Sequence, residues 1–233
     1  MELILVRHGE PLWVVDGRNR NDPELTERGH AQAARVARRL ADHELEPADG
    51  PVDALLVSPA RRAQETCAPI ADALGLAPVT HDWLVEMGMP DAWDDHPIEV
   101  VEAAFAQQRG WSRTEWWDGQ PGAESMRAFH DRVAGGLDAT LATMGVTPAG
   151  EHALWEVADD APDRIVAVAH GGTNSTLVAH LIGAEKEPWD WYRFVMGHAS
   201  VAVLRTQPLA GAHIWSLCAL GDATHLEKED RTT

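Results

Sequence analysis

Ile165-Val166-Ala167-Val168-Ala169-His170-Gly171-Gly172 runs apolar and then reaches a histidine followed by glycine, and Leu3-Ile4-Leu5-Val6-Arg7-His8-Gly9 does the same near the start. An aliphatic run without polar alternation fits a strand covered on both faces, as in a parallel sheet between helices. Residues 164–169 carry the strongest central-strand signal in the chain, and the following stretch reads as a helix through Leu181 that stops at Gly183. Ligands of such sheets bind at the carboxyl ends of the parallel strands. Two imidazoles delivered there could share one pocket, each followed by a glycine that lets backbone approach a ligand closely.

The remaining pattern alternates in the same way. A polar loop spans 9 to about 24, and Thr26 can N-cap a helix to about residue 43 with Ala33, Val36, Ala37 and Leu40 on one face. Residues 53–57 read as a second buried strand. Ser58-Pro59 reads as a hydroxyl cap with proline at the first helical position, opening a helix that ends before Gly75. Pro121-Gly122 precedes a long helix from about 124 to 144, and 199–205 and 212–217 read as final strands. Residues 82–122 differ in character, with Trp83, Trp93, Trp111, Trp116 and Trp117, three prolines and one clear helix over 98–108. The expected fold is α/β: a three-layer sandwich with a mostly parallel central sheet flanked by helices. It forms one domain over 1–233 with a Trp-rich insertion or cap at about 82–121, whose tryptophans are expected to make a small core rather than a lid.

Composition narrows the function. Nineteen Lys and Arg against 37 Asp and Glu give a formal charge of −18 over 233 residues. So acidic a surface argues against nucleic acid or an anionic membrane as partner, while a few arginines in a pocket can still bind an anionic substrate. Cys67 and Cys218 have no metal-ligand spacing and read as two buried thiols. The apolar run 3–6 is too short for a secretory signal and ends at Arg7, so a cytoplasmic protein is expected. The sequon Asn174-Ser175-Thr176 is read as coincidence.

Leu5-Val6-Arg7-His8-Gly9-Glu10 resembles the signature of the histidine phosphatase (phosphoglycerate-mutase-like) superfamily. The stretch from Leu25 to Ala33 (Leu-Thr-Glu-Arg-Gly-His-Ala-Gln-Ala) is similar to the family's next block, and that from Ser58 to Thr66 (Ser-Pro-Ala-Arg-Arg-Ala-Gln-Glu-Thr) to its third. Glu86 sits where the family places its acid. Gly122-Ala123-Glu124-Ser125 is close to the family's Gly-Gly-Glu-Ser, with Ala123 departing, and Ala169-His170-Gly171-Gly172 completes the order.

The resemblance implies a metal-independent enzyme without cofactor, acting on a small phosphorylated substrate. His8 would be the nucleophile that becomes phosphorylated. Arg7 and Arg62 suit bidentate contacts with the phosphoryl oxygens, and His170 would add a third donor if protonated. His8 must be neutral at its attacking nitrogen, with the other ring nitrogen donating to a backbone carbonyl. Glu86 would protonate the leaving group and then activate water. Adjacent residues on a helix point about 100° apart, so only one of Arg61 and Arg62 faces the phosphate, and the family's arginine directly before alanine selects Arg62. Gly9, Arg18, Gly171 and Thr173 are the expected substrate contacts, with Arg20 and Asn174 weaker candidates.

Phosphoglycerate mutase is the alternative, and it needs a second cation cluster. Between 82 and 121 the only basic residues are Arg109 and Arg113, against eight acidic ones. The ending from Gly221 to Leu226 also resembles the phosphatase side of the family. A metal held by His8, His170 and Glu86, or a catalytically silent phosphate-binding module, are more distant readings.

Overall fold

The computed structural model describes residues 1–42, 50–150 and 153–233. Its strands are β1 (Glu2–Arg7), β2 (Val14–Val15), β3 (Arg18–Asn19), β4 (Ala54–Val57), β5 (Val79–Thr80), β6 (Val146–Pro148), β7 (Trp155–Val157), β8 (Arg164–Ala169), β9 (Val201–Leu209) and β10 (Ala212–Asp222). The helices are α1 (Glu27–Ala41), α2 (Arg61–Leu74), α3 (Ile98–Gln108), α4 (Arg113–Asp118), α5 (Met126–Ala142), α6 (Gly171–Leu181) and α7 (Asp190–Arg193).

Eight strands form one sheet in the order β5-β4-β8-β1-β9-β10-β7-β6. The half from β5 to β1 is parallel, and the other half is joined by antiparallel pairings. Both faces of the central strands are buried, which is why they read as unbroken aliphatic runs. Leu3, Leu5, Ile165 and Ala167 pack on one face with Met126, Phe129 and Leu137 of α5 and Leu177 of α6. Ile4, Val6, Val166 and Val168 pack on the other with Val36 and Leu40 of α1 and Cys67 and Ile70 of α2. Each fully buried aliphatic side chain of this kind stabilises by about 1.5–3 kcal/mol relative to exposure. The result is the expected three-layer α/β sandwich.

Register then places the chemistry. β1 pairs with β8 so that Arg7 stands beside Ala169, and His8 and His170 leave the sheet side by side one residue later. The His8 amide still donates to the Ala169 carbonyl at 2.9 Å, extending the ladder to the histidine itself.

Several local expectations are corrected. Ser58 does not cap α2, which starts at Arg61 after Ala60; its first amide donates to the Asp22 carboxylate at 2.9 Å instead. α5 starts at Met126, with Ser125 as its side-chain cap, later than expected because Glu124 is turned to Arg132. α1 is described through Ala41 with Asp42 at its C-cap, and its expected end near residue 43 lies outside the described residues. The final strands run on to Leu209 and Asp222, and β6 and β7 add an edge that the sequence reading did not contain. Cys218 is exposed rather than buried, whereas Cys67 lies in the core and burial pushes its thiol up to about 12.

Residues 82–121 hold more helix than expected: α3 and two single 3-10 turns, with α4 opened by a reciprocal Ser112–Glu115 capping box. Trp116 and Trp117 are buried as expected of core residues, but Trp93 lines an open cavity. Among the described residues no helix is long and apolar enough to cross a membrane.

Candidate active site

His8 is 3% exposed, and its Nδ1 lies 2.7 Å from the Gly9 carbonyl. A carbonyl can only accept, so Nδ1 carries the proton and Nε2 presents a lone pair. The Nε–H of Arg62 points at that lone pair from 3.3 Å. Burial holds His8 well below the ordinary histidine range, and His170, Arg62 and Arg7 press in the same direction. Nε2 is therefore unprotonated, with the tautomer set by the Gly9 carbonyl.

The two arginines are held in different ways. Arg7 donates through Nη1 to the Met196 carbonyl at 2.6 Å and through Nη2 to Nε2 of His198 at 3.1 Å. Its Nε is buried and has no protein partner. Arg62, at the start of α2, is 5% exposed, stacks over Trp13 at 4.9 Å and lies 3.6 Å from Asp22. Arg61 points outward to Glu24 and Glu65, as the helical angle requires.

His170 stands 5.1 Å from His8 between ring centroids. Its Nε2 meets the Ser58 hydroxyl at 2.8 Å, which is where the expected helix cap has gone, and its buried Nδ1 has no protein partner. Burial, with Arg62 and Arg7 beside it, keeps His170 well below the ordinary range. Burial thus works against the protonated form in which His170 would add a third donor.

Glu86 sits at the N-terminus of α6. Its carboxylate accepts from the amides of Gly172 at 2.8 Å and of Thr173 and Met87 at 3.1 Å each. The Gly172 and Thr173 amides are orphan N–H groups of the α6 start, and the helix dipole favours an anion there. Arg132 of α5 braces the same segment by donating to the carbonyls of Trp83 and Val85 at 2.9 and 3.0 Å, while Glu124 holds Arg132 from the far side at 2.6 Å.

Among the four expected substrate contacts, Thr173, Arg18 and Gly9 engage other parts of the protein, and Gly171 lies against Arg7. Thr173 is fully buried, and its amide and hydroxyl serve Glu86 and the Val85 carbonyl. Arg18 is about half exposed and pairs with Asp95, as does Arg20 at 2.9 Å, so the loop arginines fasten the first loop to the segment 82–121. A Cβ on Gly9 would lie 2.5 Å from the Gly29 carbonyl, so that glycine answers to packing against the start of α1. A Cβ on Gly171 would meet Arg7 Nε at 3.4 Å, and one on Gly172 would meet Glu86 Oε1 at 2.5 Å. Asn174 is fully buried, which rules it out as a glycan acceptor.

Sequence reasoning missed His198, Ser58, Trp13 and Arg132. His198 holds Arg7 and is itself tied through Nδ1 to the Thr232 hydroxyl at 2.8 Å, so the chain's last residues brace the site. Gly197-His198 just before β9 is the one local hint of this. Nothing near Arg132 in sequence points to the site, whereas Trp13 follows His8 by five residues, in the loop read as polar.

Arg62 and Glu86 open together into a cavity of about 780 Å³ bounded by the first loop and residues 85–123. A buried neutral imidazole, two guanidiniums, a second histidine and a carboxylate at the carboxyl end of a parallel sheet define an enzyme of phosphoryl transfer. The model of the histidine phosphatase superfamily (branch 1) matches residues 3–212, and the chain belongs to that family. It is 32% identical to phosphoserine phosphatase 1 of Hydrogenobacter thermophilus over 143 residues, 59% of this chain and 63% of that one. It is 28% identical to a probable phosphoglycerate mutase, GpmB, of Yersinia pestis over 97% of this chain and 95% of the other. The mycobacterial glucosyl-3-phosphoglycerate phosphatase shares its fold, with a TM-score of 0.69, 24% identity and coverage of 95% and 99% of the two chains. By family this chain is a histidine phosphatase.

Proposed function

We propose that the chain hydrolyses phosphomonoesters of small metabolites in two displacements at His8, without metal or other cofactor. The observation that carries this is the unprotonated Nε2 of His8, 3.3 Å from the guanidinium of Arg62, which together with Glu86 lines the cavity. In the first displacement Nε2 attacks phosphorus, the P–O bond to the alcohol breaks, and Glu86 passes to the departing oxygen a proton that it has taken from the substrate monoanion or from the water of the preceding turnover. Glu86 Oε2 takes only the Gly172 amide, which leaves that oxygen capacity for the proton. The Gly9 carbonyl keeps the Nδ1–H and steadies the imidazolium character of phosphorylated His8. In the second displacement Glu86 removes a proton from water, the water oxygen attacks phosphorus, the P–N bond breaks and phosphate leaves.

Arg7, Arg62 and neutral His170 would bind the phosphoryl oxygens, Arg7 through its buried Nε and His170 through Nδ1. Gly171 borders them, while Gly9 and Thr173 would act by shaping the site and Arg18 by tethering the loop. Residues 82–121 would serve as a cap on a single domain, in a cytoplasmic setting.

A mutase must hold a doubly phosphorylated intermediate, which demands cations away from the nucleophile. Arg113 is exposed and paired with Glu187 at 2.9 Å, and Arg109 does not line the cavity. The test feeds 3-phosphoglycerate with catalytic bisphosphoglycerate, follows isomer and free phosphate together, and traps protein-bound phosphate by rapid denaturation. Acid-labile, base-stable phosphate on His8, absent in His8→Ala, with phosphate release outpacing isomerisation, is expected. Isomerisation faster by orders of magnitude would refute the hydrolase reading.

A further inference from the structure

The cavity above the phosphate site carries information about the alcohol that leaves. At about 780 Å³ it has room for some two dozen waters at ~30 Å³ each, and it lies within the range of pockets that enclose a drug-sized ligand. A three-carbon acid phosphate would leave most of it unfilled. Its walls are strongly apolar: Trp13, Met87, Met89, Trp93, Val101 and Phe105 all face it. Trp93 and Phe105 meet edge to face at 5.5 Å, forming an aromatic side to the chamber.

Charge is distributed just as unevenly. Among the described residues lining the cavity, Arg62 is the one cation, and it belongs to the phosphoryl site; Asp22, Glu86 and Glu102 are acidic. A carboxylate on the leaving group would meet no second cation and up to three carboxylates. The polar groups available to a leaving group are amides. Asn19 and Asn21 are already used, bonding each other and the carbonyls of Trp93 and Pro90. Gln108 is different: it is 4% exposed, lines the cavity, and its Nε2 has no partner. Gln120 also lines the cavity with a buried, unpartnered Nε2. A buried N–H₂ without an acceptor costs about 1–3 kcal/mol, a cost that a substrate oxygen placed there would remove.

Resting on the phosphatase reading above, we infer that the substrate is the phosphate monoester of a neutral, largely apolar, ring-bearing alcohol. Its body fills the Trp93–Phe105 chamber, and an acceptor oxygen on it meets Gln108 and Gln120. The acid-bearing phosphates named for two of the relatives, phosphoserine and phosphoglycerate, are the class this chamber disfavours.

The test compares four alkyl phosphates of similar leaving-group chemistry: 2-(2-naphthyl)ethyl phosphate, ethyl phosphate, phosphoserine and 3-phosphoglycerate. A fifth ester, N-(2-naphthoyl)-2-aminoethyl phosphate, adds an amide oxygen. The naphthylethyl ester should exceed the two acids in kcat/KM by on the order of 100-fold, because its binding energy is realised on apolar walls. Phe105→Asp, at a half-exposed position, should narrow that preference by about tenfold or more. The amide ester should gain a further factor of about ten, and Gln108→Leu should remove that gain. Phosphoserine or 3-phosphoglycerate turned over as well as the naphthylethyl ester would overturn the chamber assignment and leave the phosphatase reading standing. No release from any ester, with no phosphate trapped on His8, would overturn the phosphatase reading and this inference with it.

Discussion

Gly172→Ala probes the acid through a single methyl group. A Cβ there would lie 2.5 Å from Glu86 Oε1, 3.1 Å from its Cδ and 2.9 Å from Cε3 of Trp191. Ordinary contact begins near 3.4 Å, so the carboxylate must retreat by about 1 Å. That retreat breaks the 2.8 Å bond from the Gly172 amide and strains the 3.1 Å bond from Thr173. Hydrogen bonds to a charged group contribute about 1.5–3 kcal/mol each, and general acid catalysis supplies about 10²–10⁴ in rate. Misplacing the acid by an ångström is thus expected to lower kcat on alkyl phosphates by about 100-fold. On 4-nitrophenyl phosphate, whose leaving group needs little protonation, the loss should be about tenfold or less. Glu86→Gln should show the same split. Gly135→Ala, inside α5, is the control, since a Cβ there meets nothing within 4 Å and alanine favours a helix interior over glycine by about 0.5–1 kcal/mol. Steady-state rates on both ester classes, with a thermal melt of each variant, read the outcome. Gly172→Ala at wild-type rate on alkyl esters, or equal losses on alkyl and aryl esters, would refute the assignment of Glu86 as the acid.

Two further outcomes follow from the charge arrangement. Arg62→Ala should cost on the order of 100-fold in kcat/KM while Arg61→Ala stays within about threefold, since Arg61 is committed to Glu24 and Glu65 on the surface; equal losses would mean that the wrong guanidinium has been placed at the phosphate. Acid should destabilise the fold well above the carboxylate range, because burial holds His130, His198 and His225 down to about 4, 3 and 4 against about 6.5 when unfolded. A lowered folded value means full stability above pH ~6.5 and progressive loss below it, about 1–2 kcal/mol for each histidine between pH 7 and 5 after allowing for solvent screening; denaturant midpoints that do not move between those pH values would contradict it.

β1, β4 and β8 were legible because burial on both faces leaves an unbroken aliphatic run, ended in β1 and β8 by histidine and glycine, whereas β5, two exposed residues at the sheet edge, was not read. β6 and β7 were not, since Val146-Thr147-Pro148 and Trp155-Glu156-Val157 are three-residue edge pieces with no period to read. His8, Arg7, Arg62, Glu86 and His170 were all named from the sequence, and the structure gathers them at one end of the sheet. Thr173 and Arg18 have protein partners that the sequence did not disclose, for one reason. A hydroxyl at a helix start and an arginine in a loop both advertise for an anion, and in each case the anion came from far along the chain: Glu86, 87 residues from Thr173, and Asp95, 77 residues from Arg18. His198 and Arg132 escaped notice because they act on other residues, through contacts that only the folded chain creates.

A chain of charge −18 that binds a dianion requires the local field to outweigh the global one. Surface carboxylates act through water and salt, where the Debye length is about 8 Å at physiological ionic strength. Arg7 and Arg62 act from inside a water-poor pocket, where a unit charge pair at 4 Å is worth about 4 kcal/mol even at an effective dielectric of 20. Two guanidiniums facing a dianion at that range exceed what the screened surface can oppose. Guanidinium is also the cation that this degree of burial can keep: burial lowers Arg7 and Arg62 from the high guanidinium range and they stay charged, whereas the same burial lowers His8, His170 and His198 from near neutrality and discharges them. The same burial thus divides the site into fixed positive charge on the arginines and an unprotonated Nε2 on His8, met by the Arg62 Nε–H. A lysine at position 62 would be easier to discharge and could not hold Nε2 of His8 while presenting two further N–H groups to a phosphoryl oxygen. The separation of roles between charge and nucleophile is a consequence of residue type and depth, and it requires no proton to be moved before the first attack.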